Sequence, residues 1–216
     1  MQTVLTADRT CWRCRVDTAG GLVCPGCEAP QPLAPDADLF QVLGLPRSLV
    51  IDGDDLERRY HAASRAVHPD RHQLADARAG ALAVSASAAV NRAYRTLRDP
   101  IARARYWLEL HGVRLAEDNN RVPPALAELV FDTQEKLEEL AGVNGAGAIR
   151  QEVDAIRADL EARIGGFTTD LGTQVAAWER EGVSATPATL AELKRRLSEI
   201  SYLRSLLGDV DTAVGA

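Results

Sequence analysis

The sequence predicts an all-α protein preceded by a small cysteine hairpin, on three observations. From Asp38 onward apolar residues recur at helical spacing and no alternating strand pattern survives. Prolines, glycines and asparagines interrupt that periodicity at helix-length intervals. All four cysteines lie between positions 11 and 27, ahead of the first helix. The 216 residues are 46% hydrophobic and 26% charged, a globular composition with length for one or two compact units and a small appendage. The net charge is −6, from 25 Lys+Arg against 31 Asp+Glu. That balance argues against general polyanion binding, which needs cationic side chains to release counterions. The longest run without a charge or an obvious breaker, about Ala81–Val90, falls well short of the ~20 apolar residues of a membrane span. The first ten residues carry Asp8 and no apolar stretch, so no secretory leader is read and a cytoplasmic location is expected.

The cysteines form two pairs, Cys11-Trp-Arg-Cys14 and Cys24-Pro-Gly-Cys27. A Cys-x-x-Cys loop aims two thiolates at one ion, and two such loops complete a closed tetrahedral set, the usual structural zinc site. Gly20-Gly21 suits the hairpin between the pairs, and Pro25-Gly26 suits a turn that points backbone amides at sulfur. Zinc held by four buried thiolates is the leading reading. A redox dithiol, iron in the same cage, or disulfides in a secreted chain are the alternatives. The site leaves no open coordination position, so no catalysis is expected there. Glu28–Asp36 contains three prolines and no periodicity and reads as a linker.

Asp38–Gly44 reads as a short helix closed by Gly44. Asp52 or Asp54 can cap the next helix, whose stripe is Leu56, Tyr60, Ala63 and Val67, with Arg58, Arg59 and Arg65 on its other face. That helix must stop near Val67, because Pro69 lacks an amide hydrogen and disfavours helical geometry at His68. His68-Pro69-Asp70 is therefore expected as an exposed turn, followed by a polar loop, Arg71-His72-Gln73. A third helix, about Asp76 to Leu97, carries Leu82, Ala86, Ala89, Val90, Ala93 and Leu97. A fourth opens at Asp99-Pro100, an N-cap followed by proline at the first helical position, and closes at His111-Gly112.

Leu115–Pro124 is polar and reads as a boundary. Three helical patterns follow, which predict an antiparallel three-helix bundle. The first, about Pro124–Gly142, has the stripe Leu126, Leu129, Val130, Leu137 and Leu140 and is closed by Gly142 and Asn144-Gly145. Phe131 points away from that stripe, on an arc shared with Glu128, Asp132, Glu135, Glu138 and Glu139. An apolar anchor in an acidic rim suggests an interaction face. The second pattern keeps register from Ile149 to Trp178, a helix of ~45 Å in which Gly165-Gly166 allows a kink. The third, about Pro187–Leu207, uses Leu190, Leu193, Leu197, Ile200 and Leu207, with Tyr202 off the stripe.

Two antiparallel helices joined by His68-Pro69-Asp70 resemble a J-domain. The flanking strings Phe40-x-x-Leu43-Gly44-Leu45-Pro46, Asn91-Arg92-Ala93-Tyr94 through Asp99-Pro100, and Arg103-Ala104-Arg105-Tyr106-Trp107-Leu108 are similar to those of the HscB family, the J-type co-chaperones of iron–sulfur cluster assembly. The four-cysteine hairpin resembles the extension of the mitochondrial members. The resemblance implies a zinc hairpin over 1–30, a linker over 31–37, a J-domain over 38–114, a second linker over 115–123 and a scaffold-binding bundle over 124–210. It implies a non-enzymatic adaptor that stimulates the ATPase of a DnaK/HscA-type heat-shock chaperone and brings it an IscU-type scaffold protein; a weak homodimer is compatible with it.

On that reading the metal ligands are Cys11, Cys14, Cys24 and Cys27. The chaperone-binding residues are His68, Pro69 and Asp70 with the cations Arg58, Arg59, Arg65 and Arg71. The scaffold-binding residues are Phe131, Asp132, Glu135 and Glu139, with Tyr202 near the end. One departure is visible: where the family often has Phe-Leu-Met, this chain reads Leu126-Ala127-Glu128, which implies a smaller or shifted client patch. Two other functions stay open, a general co-chaperone with a different client and a zinc-dependent thiol oxidoreductase.

Overall fold

The computed structural model describes residues 9–72, 76–115, 122–142 and 147–215. The chain divides into two compact units, Met1–Arg103 and Ala104–Ala216. Among the described residues the regular structure is helical, apart from two isolated antiparallel bridges, Thr10 with Asp17 and Val23 with Pro30.

In the first unit, α1 (Leu39–Val42) begins at a reciprocal capping box: the Asp38 carboxylate accepts from the Gln41 amide, and the Gln41 side chain accepts from the Asp38 amide. Gly44 then turns the chain with φ +63°, a conformation that favours glycine. Of the two capping candidates Asp52 is the one used, opening α2 (Gly53–Ala66). Residues 69–72 form a single helical turn, α3 (Pro69–His72), which takes in part of the expected turn and the Arg71-His72 start of the expected polar loop. Its last residue, His72, is buried, with Nε2 2.9 Å from the carbonyl of Ala66. Gln73 lies outside the described residues. The next helix, α4 (Ala77–Arg98), starts at the Asp76 cap, and α1, α2 and α3 all pack on it. Its buried seam is Ala79, Ala83, Ala86, Val90, Ala93 and Leu97, while Leu82 and Ala89 are only half-buried. The alanines form the seam because a methyl group allows neighbouring backbones to approach closely. Phe40, fully buried, and Leu56 and Val67 complete this core. The Asp99 carboxylate then accepts from the Ile101 and Ala102 amides at 2.8 and 2.7 Å and opens α5 (Pro100–Leu110).

In the second unit a 3₁₀ turn, Pro124–Leu126, leads into α6 (Ala127–Gly142). It is followed by α7 (Gly147–Arg180) and by α8 (Pro187–Val214), which Thr186 caps. These three helices pack on one another as a bundle. The Asn144-Gly145 stop and Asn119-Asn120 of the expected boundary lie outside the described residues. The glycine pair does not interrupt α7: the helix runs continuously through Gly165-Gly166 for 34 residues, about 51 Å.

α8 runs past its expected end at Leu207 to Val214, where Gly215 closes it with φ +75°. Its buried set includes Leu203, Leu206 and Val210 besides Leu190, Leu193, Leu197 and Ile200, whereas Leu207 is only partly buried. α8 faces both α6 and α7, so the arc it buries is wider than one stripe. Thr133 is also buried on α6, and its hydroxyl donates to the Leu129 carbonyl at 2.7 Å.

Candidate functional site

The cysteine hairpin is one local structure built twice. In the first copy the Cys11 amide donates to the Val16 carbonyl (2.8 Å), and the Arg15 amide donates to the Cys11 carbonyl (3.0 Å). In the second the Cys24 amide donates to Ala29 and the Glu28 amide to Cys24, both at 2.9 Å. Arg15 and Glu28, at equivalent positions, both take left-handed backbone, φ 67° and 56°. That geometry is unfavourable for side chains with a Cβ, and the closing hydrogen bonds hold it. Backbone amides point at sulfur in both copies: Arg13 N–H at 3.3 Å from Cys11 Sγ and Gly26 N–H at 3.4 Å from Cys24 Sγ. Gln31, expected in the linker, belongs to this structure. It is buried, and its Nε2 donates to the Ala29 carbonyl (2.7 Å) and reaches Cys11 Sγ (3.4 Å).

The two loops bring all four sulfurs within 4.8 Å of one another, with Cys11–Cys27 at 3.7 Å and Cys14–Cys24 at 3.5 Å. A tetrahedron of ~2.3 Å metal–sulfur bonds has edges of about 3.8 Å, so the donor set fits a metal ion. Cys11 and Cys24 are buried, Cys27 is half-buried and Cys14 is exposed, which corrects the expectation of four buried thiolates. The thiols do not ionise alike. Burial pushes Cys11 up, but the amides of Cys14 and Arg13 and the neighbouring thiols overcome it and lower Cys11 to about 6. The backbone at Ala29 favours the Cys27 thiolate, yet burial and the other three sulfurs raise Cys27 to about 12. Four crowded sulfurs cannot all carry charge unless a cation sits among them.

The corner after α2 is set by proline. His68 and Asp70 are exposed on either side of Pro69, with side-chain exposures of 54% and 79%. The Asp70 amide donates to His68 Nδ1 at 3.3 Å, and the Asp70 carboxylate lies 3.7 Å from the same nitrogen. The four candidate cations differ in what they touch. Arg58 and Arg59 both pair with Asp55, and Arg59 also donates to the Gly44 carbonyl. Arg71 pairs with Glu28 of the cysteine hairpin at 3.3 Å. Arg65 is exposed and has no ion pair among the described residues.

In the second unit Phe131 is the most exposed large hydrophobic residue among those described, at 67%. Glu128, Asp132, Glu135, Glu138 and Glu139 are exposed around it. Lys136 ties down part of that rim by pairing with Glu139 (2.9 Å) and Glu152 (3.1 Å). Tyr202 is half-buried and packs against the bundle core. Sequence reasoning missed Trp12. Its Nε1 donates to the Pro30 carbonyl at 2.8 Å, and Arg78 stacks over its ring at 4.5 Å.

Comparison with known proteins agrees with this geometry. A DnaJ domain model matches residues 38–106. The co-chaperone protein HscB homolog of Burkholderia thailandensis is 30% identical over 162 residues, 74% of this chain and 90% of that protein. The iron-sulfur cluster co-chaperone protein HscB homolog of Arabidopsis thaliana is 31% identical over 143 residues, 66% of this chain and 56% of that protein. The crystal structure of human co-chaperone protein HscB superposes with a TM-score of 0.72 at 26% identity, covering 94% of this chain and 97% of the human one. The exposed His-Pro-Asp corner, the helical bundle and the extent of these matches together make the chain a member of the HscB co-chaperone family.

Proposed function

We propose that the protein is a non-enzymatic J-type co-chaperone that stimulates ATP hydrolysis by a DnaK/HscA-type heat-shock chaperone and brings it an IscU-type iron–sulfur scaffold protein. The observation that carries this reading is the exposed imidazole and carboxylate at the proline-set corner, in a chain that aligns with 90% of a curated HscB relative. The J-domain spans about 38–114 and the scaffold-binding bundle about 124–210. Arg65 and Arg71 supply the positive field nearest the corner, and Phe131, Asp132 and Glu135 form the client face. Binding both partners on one chain raises the local concentration of the client at the chaperone. Zinc is the ion that four thiolates in a closed set favour, and its part here is to hold the hairpin's shape. No helix among the described residues is long and apolar enough to cross a membrane, and the four cysteines gather as one candidate metal-ligand set. A reducing cytoplasm suits them.

His68→Gln is the test. It should abolish stimulation of the chaperone ATPase while thermal unfolding and scaffold affinity stay unchanged. Full stimulation by that variant would remove the assignment.

A further inference from the structure

The hairpin reaches the first unit's helices through two side chains, one from each of its loops. Glu28, next to Cys27, pairs with Arg71, one residue beyond Asp70. Trp12, between Cys11 and Cys14, lies under the guanidinium of Arg78, in the first turn of α4. The two contacts fall on the last turn before and the first turn after the connection between α3 and α4, both following the corner residues in the chain. Both depend on how the loops are held. Glu28 sits at a left-handed position closed onto Cys24, and Trp12 is fixed by its bond to Pro30. Both loops converge on the four-sulfur site.

We infer that the cysteine hairpin tunes how strongly the corner binds an acidic partner surface: Glu28 and Trp12 occupy the cations Arg71 and Arg78, and the metal-loaded sulfur cluster holds them there. The inference rests on the function proposed above for His68 and Asp70. A partner carboxylate must compete with Glu28 for Arg71 and with the indole for Arg78. Without the ion the loops lose their cross-link and both cations are released.

An exposed pair of this kind shifts an equilibrium by about two- to fivefold. At low salt, Glu28→Gln should therefore lower the co-chaperone concentration giving half-maximal ATPase stimulation by about that factor, with the maximal stimulated rate unchanged. The gap should close in high salt, where exposed charges are screened. Stripping Zn²⁺ from the full-length protein with a chelator should shift the half-maximal concentration in the same direction and by at least as much, because Arg78 is released as well. It should produce no further shift in a Trp12→Leu/Glu28→Gln double variant.

Hydrogen exchange supplies a readout that needs no chaperone. Stripping the metal should speed amide exchange in α3 and the first turn of α4, leaving the middle of α4 protected. An unchanged half-maximal concentration for Glu28→Gln at low salt would overturn the inference. So would an equal response to chelation in the double variant and the parent, or exchange in α3 that ignores the metal. Failure of the His68→Gln test would strike the proposed function and leave the exchange result standing on its own.

Discussion

The two exposed surfaces of interest are made by opposite means. At the corner after α2, a backbone rule does the work: Pro69 stops the helix, and the two polar side chains beside it project into water, with His68 and Asp70 touching each other. On α6, nothing in the backbone is unusual, and exposure follows from angular position alone. Phe131 lies on the far side of the Leu126 and Val130 stripe, within a rim of carboxylates. The corner can exchange charge and hydrogen bonds with a partner. The α6 face can bury an aromatic ring and use its acids to choose who buries it. On the function proposed above, the surface that triggers and the surface that holds differ in their chemistry, one polar and set by the backbone, the other aromatic and set by angular position.

The sharpest way to break that separation is a crossed pair of variants. Phe131→Ala should lower scaffold affinity by about tenfold or more, as loss of an aromatic anchor does. It should leave the scaffold-independent stimulation of the ATPase intact, the mirror of His68→Gln. A titration with equal affinity for parent and variant would remove the client face from α6.

A smaller effect tests the rim. Asp132→Asn with Glu135→Gln should slow scaffold association by about two- to fivefold at low salt with little change in dissociation, because rim charges act mainly on encounter. Stopped-flow rates at two ionic strengths decide it.

The smallest effect serves as a control at a residue assigned to neither surface. Glu192 on α8 accepts from Arg195 and Arg196, and these bonds hold its carboxyl down at about 2. Its folded value lies below its ordinary one. Its contribution to stability is therefore present above about pH 4.5 and is lost as pH falls towards 2. Glu192→Gln should cost roughly 0.2–1 kcal/mol at neutral pH. It should flatten the acid limb of the stability profile and leave both binding surfaces unmoved.

Much of the molecule was legible because its determinants are local. The Asp52 and Asp99 caps, the Pro69 corner and the outward angle of Phe131 each follow from a few adjacent residues. The pairing of the two cysteine loops was legible because metal-ligand spacing is itself a local code. What was not legible depends on partners far along the chain. His72 reads as polar loop, yet it is buried against the end of α2. Gln31 reads as linker, yet it reaches back to Cys11. Leu203, Leu206 and Val210 join the core only because α8 meets two neighbours at once. Tyr202 falls off the expected stripe and is nonetheless half-buried against the same core. The contact of Trp12 with Arg78 spans two folded pieces and leaves no trace in either string.

The uninterrupted α7 imposes a counting rule on its own gene. One codon added or lost near Gly165 would turn the downstream half by roughly 100°. Leu171 and Val175, both buried, would swing out of the bundle, while Val153 and Leu160 upstream stayed seated. Residues along this rod can be exchanged in place, but its length is locked to the phase of the core, and indels are confined to the connections at its ends.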